Sequence, residues 1–178
     1  SIKVELALAQ MYLNGRGVAA DPVAAARWFR MAADHGNANA QINLGYLYET
    51  GNGVPRDLNQ AFYWYQQSAL QGDPLGLSNL GVMYQNGNGV PADIPESIRL
   101  YRASAYQGNM YGQFNLAFMF ETGNGVAKDI SEATRWYQAA ADQGHTDAKA
   151  ALDRLTSQAN VAPVKRPKPL PGAASSPP

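Results

Sequence analysis

The sequence predicts an all-α solenoid of four 36-residue helix-turn-helix units, finished by one more helix and followed by a proline-rich tail. Three observations predict it. The tetrapeptide GRGV at Gly15 returns as GNGV at Gly51, Gly87 and Gly123, each start 36 residues after the last. Leu8, Leu44, Leu80, Leu116 and Leu152 keep the same register, as do Tyr12, Tyr48, Tyr84 and Phe120. Within each unit the apolar residues follow helical spacing, and no stretch alternates with the period of two that a half-buried strand requires. The units run over about 4–39, 40–75, 76–111 and 112–147, the closing helix over 146–158 and the tail over 159–178.

The elements can be justified in chain order. In the second unit Ala40, Leu44, Leu47 and Tyr48 share one face of a first helix. After the glycine loop, Ala61, Trp64, Tyr65, Ser68 and Ala69 share one face of a second. The aromatic pair of that second helix recurs as Trp28-Phe29, Trp64-Tyr65 and Trp136-Tyr137, softened to Leu100-Tyr101, and reads as core. Asp57, Asp93 and Asp129 are followed three residues later by Gln60, Glu96 and Glu132, an acidic form of the capping box. Asp21 precedes Pro22, which suits a first helical position. Gly36, Gly72, Gly108 and Gly144 sit where a second helix must stop with a left-handed residue, and the GxGV glycines supply positive φ for the turn between helices. In the closing helix Leu152 and Leu155 form the apolar face while Lys149, Asp153, Arg154 and Gln158 lie elsewhere, the half-polar character that a solenoid end needs.

Composition excludes several classes. The 14 basic and 14 acidic residues balance, but Lys165, Arg166 and Lys168 lie in the tail, so the solenoid carries eleven basic against 14 acidic residues. A weakly acidic body lacks the basic stripe that tracks phosphates, so nucleic acid is not an expected partner. Cysteine is absent, which removes disulfides and thiolate metal sites. No apolar stretch reaches the length of a membrane span. The GNGV loops lack the third glycine and preceding strand of a dinucleotide fingerprint. His35 and His145 occupy different repeat positions and read as exposed residues near helix ends, with nothing converging on a metal. No serine is followed three residues later by lysine, and Glu121 and Asp129 lie on opposite sides of a loop with no reason to share a proton. The expectation is a non-enzyme without metal or cofactor. The segment from Ser1 opens almost inside the first helix, with no polar cap ahead of it, and reads as a portion of a longer protein.

The pattern A-Q-I-N-L-G-x-x-Y-x-x-G-x-G-V-x-x-D from Ala40 to Asp57, with A-x-x-W-Y-x-x-x-A-x-x-G from Ala61 to Gly72, resembles the Sel-one-like repeats, relatives of the tetratricopeptide repeats. The resemblance spans roughly Lys3 to Leu155 and implies a right-handed superhelix whose concave face is lined by the first helix of each unit. It also implies adaptor or scaffold roles, frequent in the bacterial periplasm, cell envelope or secreted proteins. On that geometry Asn43, Asn79 and Asn115 form a ladder of amides in the groove, able to grip the backbone of an extended peptide. The alternative is that each Asn bonds to the neighbouring repeat. Ile42, Tyr46, Leu75, Val82, Tyr111, Phe114 and Phe118 are apolar residues surplus to the core pattern, and mark either an interaction strip or extra packing between units. Ile42, Ser78 and Phe114 stand where a carboxylate clamp would want cations, so an acidic C-terminus is not the expected ligand. The expected partner is a protein or peptide segment. A cell-wall glycan is the rival, served by Tyr46, Glu49, Tyr111, Phe118 and Glu121, and self-association through the uncapped first helix is the third reading.

Overall fold

The computed structural model describes residues 1–160; of the tail expected over 159–178, the first two residues belong to the last helix and the rest lies outside the described residues. Four hairpins follow one another: α1 (Ile2–Asn14) with α2 (Pro22–Asp34), α3 (Ala38–Thr50) with α4 (Leu58–Leu70), α5 (Pro74–Asn86) with α6 (Ile94–Tyr106), and α7 (Met110–Thr122) with α8 (Ile130–Asp142). A single helix, α9 (Thr146–Asn160), follows them. The described residues contain no strand, and the fold is the all-α solenoid that the repeat predicts.

Side-chain caps set the phase of every hairpin. Asp21, Asp57, Asp93 and Asp129 each accept a backbone N–H of the first turn of the second helix, at 2.9–3.1 Å. The amides of the same four residues donate to the carbonyls of Tyr12, Tyr48, Tyr84 and Phe120, which ties each loop back to its first helix. The returning half of the capping box is not formed. Glu96 and Glu132 turn instead to Arg99 and Arg135, at 2.6 and 2.8 Å, because a charged donor three residues on outcompetes a neutral amide. First helices are capped by Asn37, Asp73 and Asn109, which the sequence reading did not single out. Ser1, ahead of α1, makes no side-chain cap bond.

Successive helices pack against each other, and first helices also meet across repeats, α3 with α5 and α5 with α7; no comparable contact joins the second helices. The stack therefore curves with its first helices on the inner side. Between the rows of helices lie Phe29, Tyr65, Tyr101 and Tyr137, all fully or nearly fully buried, one per hairpin. Each ring needs a small residue opposite. A Cβ on Gly45 would sit 2.7 Å from the Tyr65 ring, and the same place is held by Ala9, Gly81 and Ala117 in the other hairpins. Of the tryptophans expected in the core, Trp64 and Trp136 are buried, while Trp28 is half-buried at the first-repeat end.

The loop glycines do more than turn the chain. Gly53 has φ +76°, and a Cβ there would run into the main-chain carbonyl of Pro22 in the preceding repeat. Gly89 meets Leu58 in the same way. Gly53 and Gly89 are thus notches that seat one repeat on the first turn of the previous second helix, while a Cβ on Gly125 would meet the side chains of Ile94 and Ile98 instead.

The two ends differ. Ala148, Ala151, Leu152 and Leu155 of α9 join the last core cluster. Its outer side carries Asp153 where every hairpin has Gly or Ala, and Thr156 where every hairpin has Tyr or Phe. Neither residue matches the pattern that seats the second helix in the four hairpins. On α1, Val4 is 56% exposed, whereas its equivalents Ala40, Gly76, Gly112 and Ala148 are buried under the preceding helix.

Candidate functional site

The inner face is a set of parallel rows, one residue per first helix. The row two places after the recurring leucine carries Tyr46, Val82, Phe118 and Arg154. Tyr46 and Phe118 are 56% and 41% exposed, and Tyr111, at the start of α7, is 44% exposed. Val82 is half-buried and packs on the last core cluster. Leu75 is half-buried against the central cluster. Ile42 corrects the expectation of an exposed strip: at 8% exposure it belongs to the central core with Tyr65, Leu77 and Leu80, because α5 closes over α3 at that point.

The amide row is only partly committed to the chain itself. Asn43 donates to the carbonyl and side chain of Asn39 one turn back, at 2.8 and 2.9 Å. Asn115 donates across the repeat to the Ser78 hydroxyl at 3.3 Å. Asn79 is half-buried between them. The row keeps acceptor oxygens at Asn43 and Asn115 while spending donors on its own helices.

Five places after the leucine lies a row of Leu13, Glu49, Gln85 and Glu121, of which the sequence marks only the two acids. The Tyr65 hydroxyl donates to Glu49 Oε2 at 2.7 Å, Tyr101 to Gln85 Oε1 at 2.6 Å, and Tyr137 to Glu121 Oε2 at 2.7 Å. In the first hairpin both members are apolar, Leu13 with Phe29. That joint change is the signal that would have found the pairs. Burial pushes all three phenols up, and Glu49 and Glu121 push Tyr65 and Tyr137 further. Glu121 also accepts from Arg154 Nη1 at 2.6 Å, and this guanidinium, helped by the Tyr137 hydroxyl and opposed by burial, holds the carboxyl below its ordinary range. The pairing makes a prediction. Tyr65→Phe alone leaves the half-buried Glu49 without its donor and costs about 1–2 kcal/mol, whereas Tyr65→Phe with Glu49→Leu copies the first hairpin and costs less than the single change. Urea midpoints of the double-mutant cycle check this, and additive losses would contradict it.

A second cluster closes the far end of the groove. The His145 ring stacks on Phe114 with centroids 4.5 Å apart, and Tyr111 meets its edge at 5.5 Å. His145 Nδ1 accepts the Ala148 N–H at 3.3 Å, so the residue caps α9 and is more than an exposed histidine at a helix end. Phe114 is thereby a half-buried wall of the cleft, packed also against Tyr137. His35 lies at the other end with Nδ1 3.1 Å from Glu5 Oε2. Among the described residues no group of three metal-ligating side chains converges. No helix among them is long and apolar enough to cross a membrane.

The molecule is thus a helical repeat scaffold with first helices along its inner face. The Sel1 repeat model matches residues 3–37, 38–73, 74–109 and 111–145, and the chain belongs to the Sel1 repeat family. Such repeats generally serve as protein-interaction scaffolds. No curated protein matches the chain. Among solved structures, a Sel1 repeat protein from Oxalobacter formigenes is 32% identical with a TM-score of 0.83, covering 90% of this chain and 65% of that one. The protein c5321, a protective antigen present in uropathogenic Escherichia coli strains displaying an SLR fold, is 37% identical with a TM-score of 0.77. The match covers 89% of this chain and 34% of that one, so the chain spans about two thirds and one third of these two relatives. Helicobacter pylori cysteine rich protein B, 20% identical with a TM-score of 0.58 over 75% of this chain and 96% of that one, shares the fold.

Proposed function

We propose that the chain is a non-enzymatic adaptor of a bacterial envelope or secreted protein, holding an extended partner segment along its inner face. The observation that carries this reading is the line of exposed Tyr46, Tyr111 and Phe118 on first helices whose other apolar faces are spent on the core. Asn43, Asn79 and Asn115 run beside that line with acceptors for peptide N–H groups. The bacterial relatives, one of them a protective antigen, support the setting. A glycan would use the same tyrosines with Glu49, so competition between peptide and oligosaccharide separates the two readings. Association through the face of α1 around Val4 would appear as a concentration-dependent mass.

The test compares Tyr46→Ser/Tyr111→Ser/Phe118→Ser with Tyr63→Ser/Leu70→Ser, exposed apolar residues of a second helix. Both variants should keep full helicity. The first should lose partner capture at least tenfold and the second should retain it; the opposite pattern would move the working surface to the convex side.

A further inference from the structure

The Glu121 corner of the groove holds an ion pair that its repeat equivalent at Glu49 lacks among the described residues. Glu121 and Glu49 occupy the same repeat position, and each accepts a buried tyrosine hydroxyl at 2.7 Å. At Glu121 the assembly is completed by Arg154, which reaches over from the next first helix, α9. Arg154 stands two places after Leu152, and the residue in that place above Glu49 is Val82, which has no charge to offer. Above Gln85 it is Phe118, and Gln85 is itself neutral. The arginine nearest in sequence, Arg56, donates its Nε to the main-chain carbonyl of Glu49 at 2.9 Å and makes no ion pair with the carboxylate. Glu49 thus has one oxygen fixed by Tyr65 and a second with no cation within salt-bridge distance among the described residues.

A half-buried carboxylate oriented by a phenol suits a planar multi-donor cation. From this we infer that the Glu49–Tyr65 pair is a receptor for a guanidinium, and that the segment held in the groove places an arginine side chain on it. The inference rests on the groove reading and adds the chemistry of one contact. Arg154, seated on the same pair of residue types two repeats along, is an internal copy of that contact.

The probe is a terminally blocked Ala-Ala-Arg-Ala-Ala peptide, compared with its citrulline counterpart, which keeps the shape and removes the charge. The readout is the side-chain carboxyl carbon resonance of Glu49 in the intact chain. The arginine peptide should give a saturable shift, and the citrulline peptide should bind at least tenfold more weakly. Glu49→Gln, titrated on the backbone amide resonances around Tyr65, should abolish that preference with unchanged melting, because Gln85 already accepts from Tyr101 at 2.6 Å without loss of the hairpin. Arg154→Ala should uncover a second site of the same preference at Glu121. Equal binding of both peptides, absence of a saturable shift, preference surviving Glu49→Gln, or no second site in Arg154→Ala would each overturn the inference. A shift seen only after Lys165→Ala/Arg166→Ala/Lys168→Ala would also overturn it, by assigning the site to the chain's own tail. The groove reading is judged separately, on the Tyr46/Tyr111/Phe118 variant.

Discussion

Trp64→Ala should lower the unfolding free energy by about 3–5 kcal/mol, the range for deleting a large buried aromatic side chain. Trp64 is 4% exposed and joins α4 to the first two hairpins, packed in one cluster with Phe29, Leu44 and Leu47. Arg30 of the preceding repeat lies 5.0 Å from its ring centroid, so the truncation removes a contact between repeats as well as one within a repeat. In a stack where each repeat touches only its neighbours, a broken junction divides the cooperative unit. The urea midpoint should fall, and the slope should fall as well if the first hairpin melts on its own. The indole N–H of Trp64 has no partner, so Trp64→Phe sheds an orphan donor while keeping most of the ring and should cost less than about 1.5 kcal/mol. A folded Trp64→Ala chain of unchanged midpoint that had lost its partner would contradict the assignment of this residue to the core.

Gly53→Ala should cost on the order of 3 kcal/mol, against about 1 kcal/mol for Gly72→Ala. Both glycines have left-handed φ, +76° and +77°, so the backbone strain of an alanine is the same at each. They differ in what a Cβ meets. At Gly72 nothing lies within 4 Å, while at Gly53 the main chain of Pro22 and Val23 is already in the way. Main chain at the first turn of a capped helix cannot swing aside, so the repeat must lift off its predecessor. The difference between the two melting curves therefore measures the close seating of one repeat on the next, free of the turn itself. Equal losses would mean that the GxGV glycine serves the turn alone.

These two results turn on features of unequal visibility in the sequence. The hairpins, their aspartate caps and the buried aromatic row were legible because each recurs every 36 residues. Repetition of a residue type reports a local requirement that every copy shares. The seating role of Gly53 was not legible, because the strain of a turn and the crowding of a neighbour call for the same residue. Ile42 was misread for a related reason: its burial comes from α5 crossing α3, and helical periodicity within α3 carries no information about that crossing. The row of tyrosines paired with Glu49, Gln85 and Glu121 escaped because the partners lie sixteen residues apart on different helices. Only the exchange of Leu13 with Phe29 for Glu49 with Tyr65 betrays it, and reading it means aligning two rows at once. The exposed aromatics Tyr46, Tyr111 and Phe118 were legible as a surplus, since the core positions of their helices were already filled.

If the inner face is the working surface, photo-crosslinking reports on it most directly. Benzoylphenylalanine placed at Tyr46 or Phe118, both exposed and aromatic already, should capture the partner in a single adduct. The same group at Tyr63, on the second helix of the same repeat as Tyr46, should capture none. Adducts from Tyr63 with none from Tyr46 and Phe118 would contradict the account.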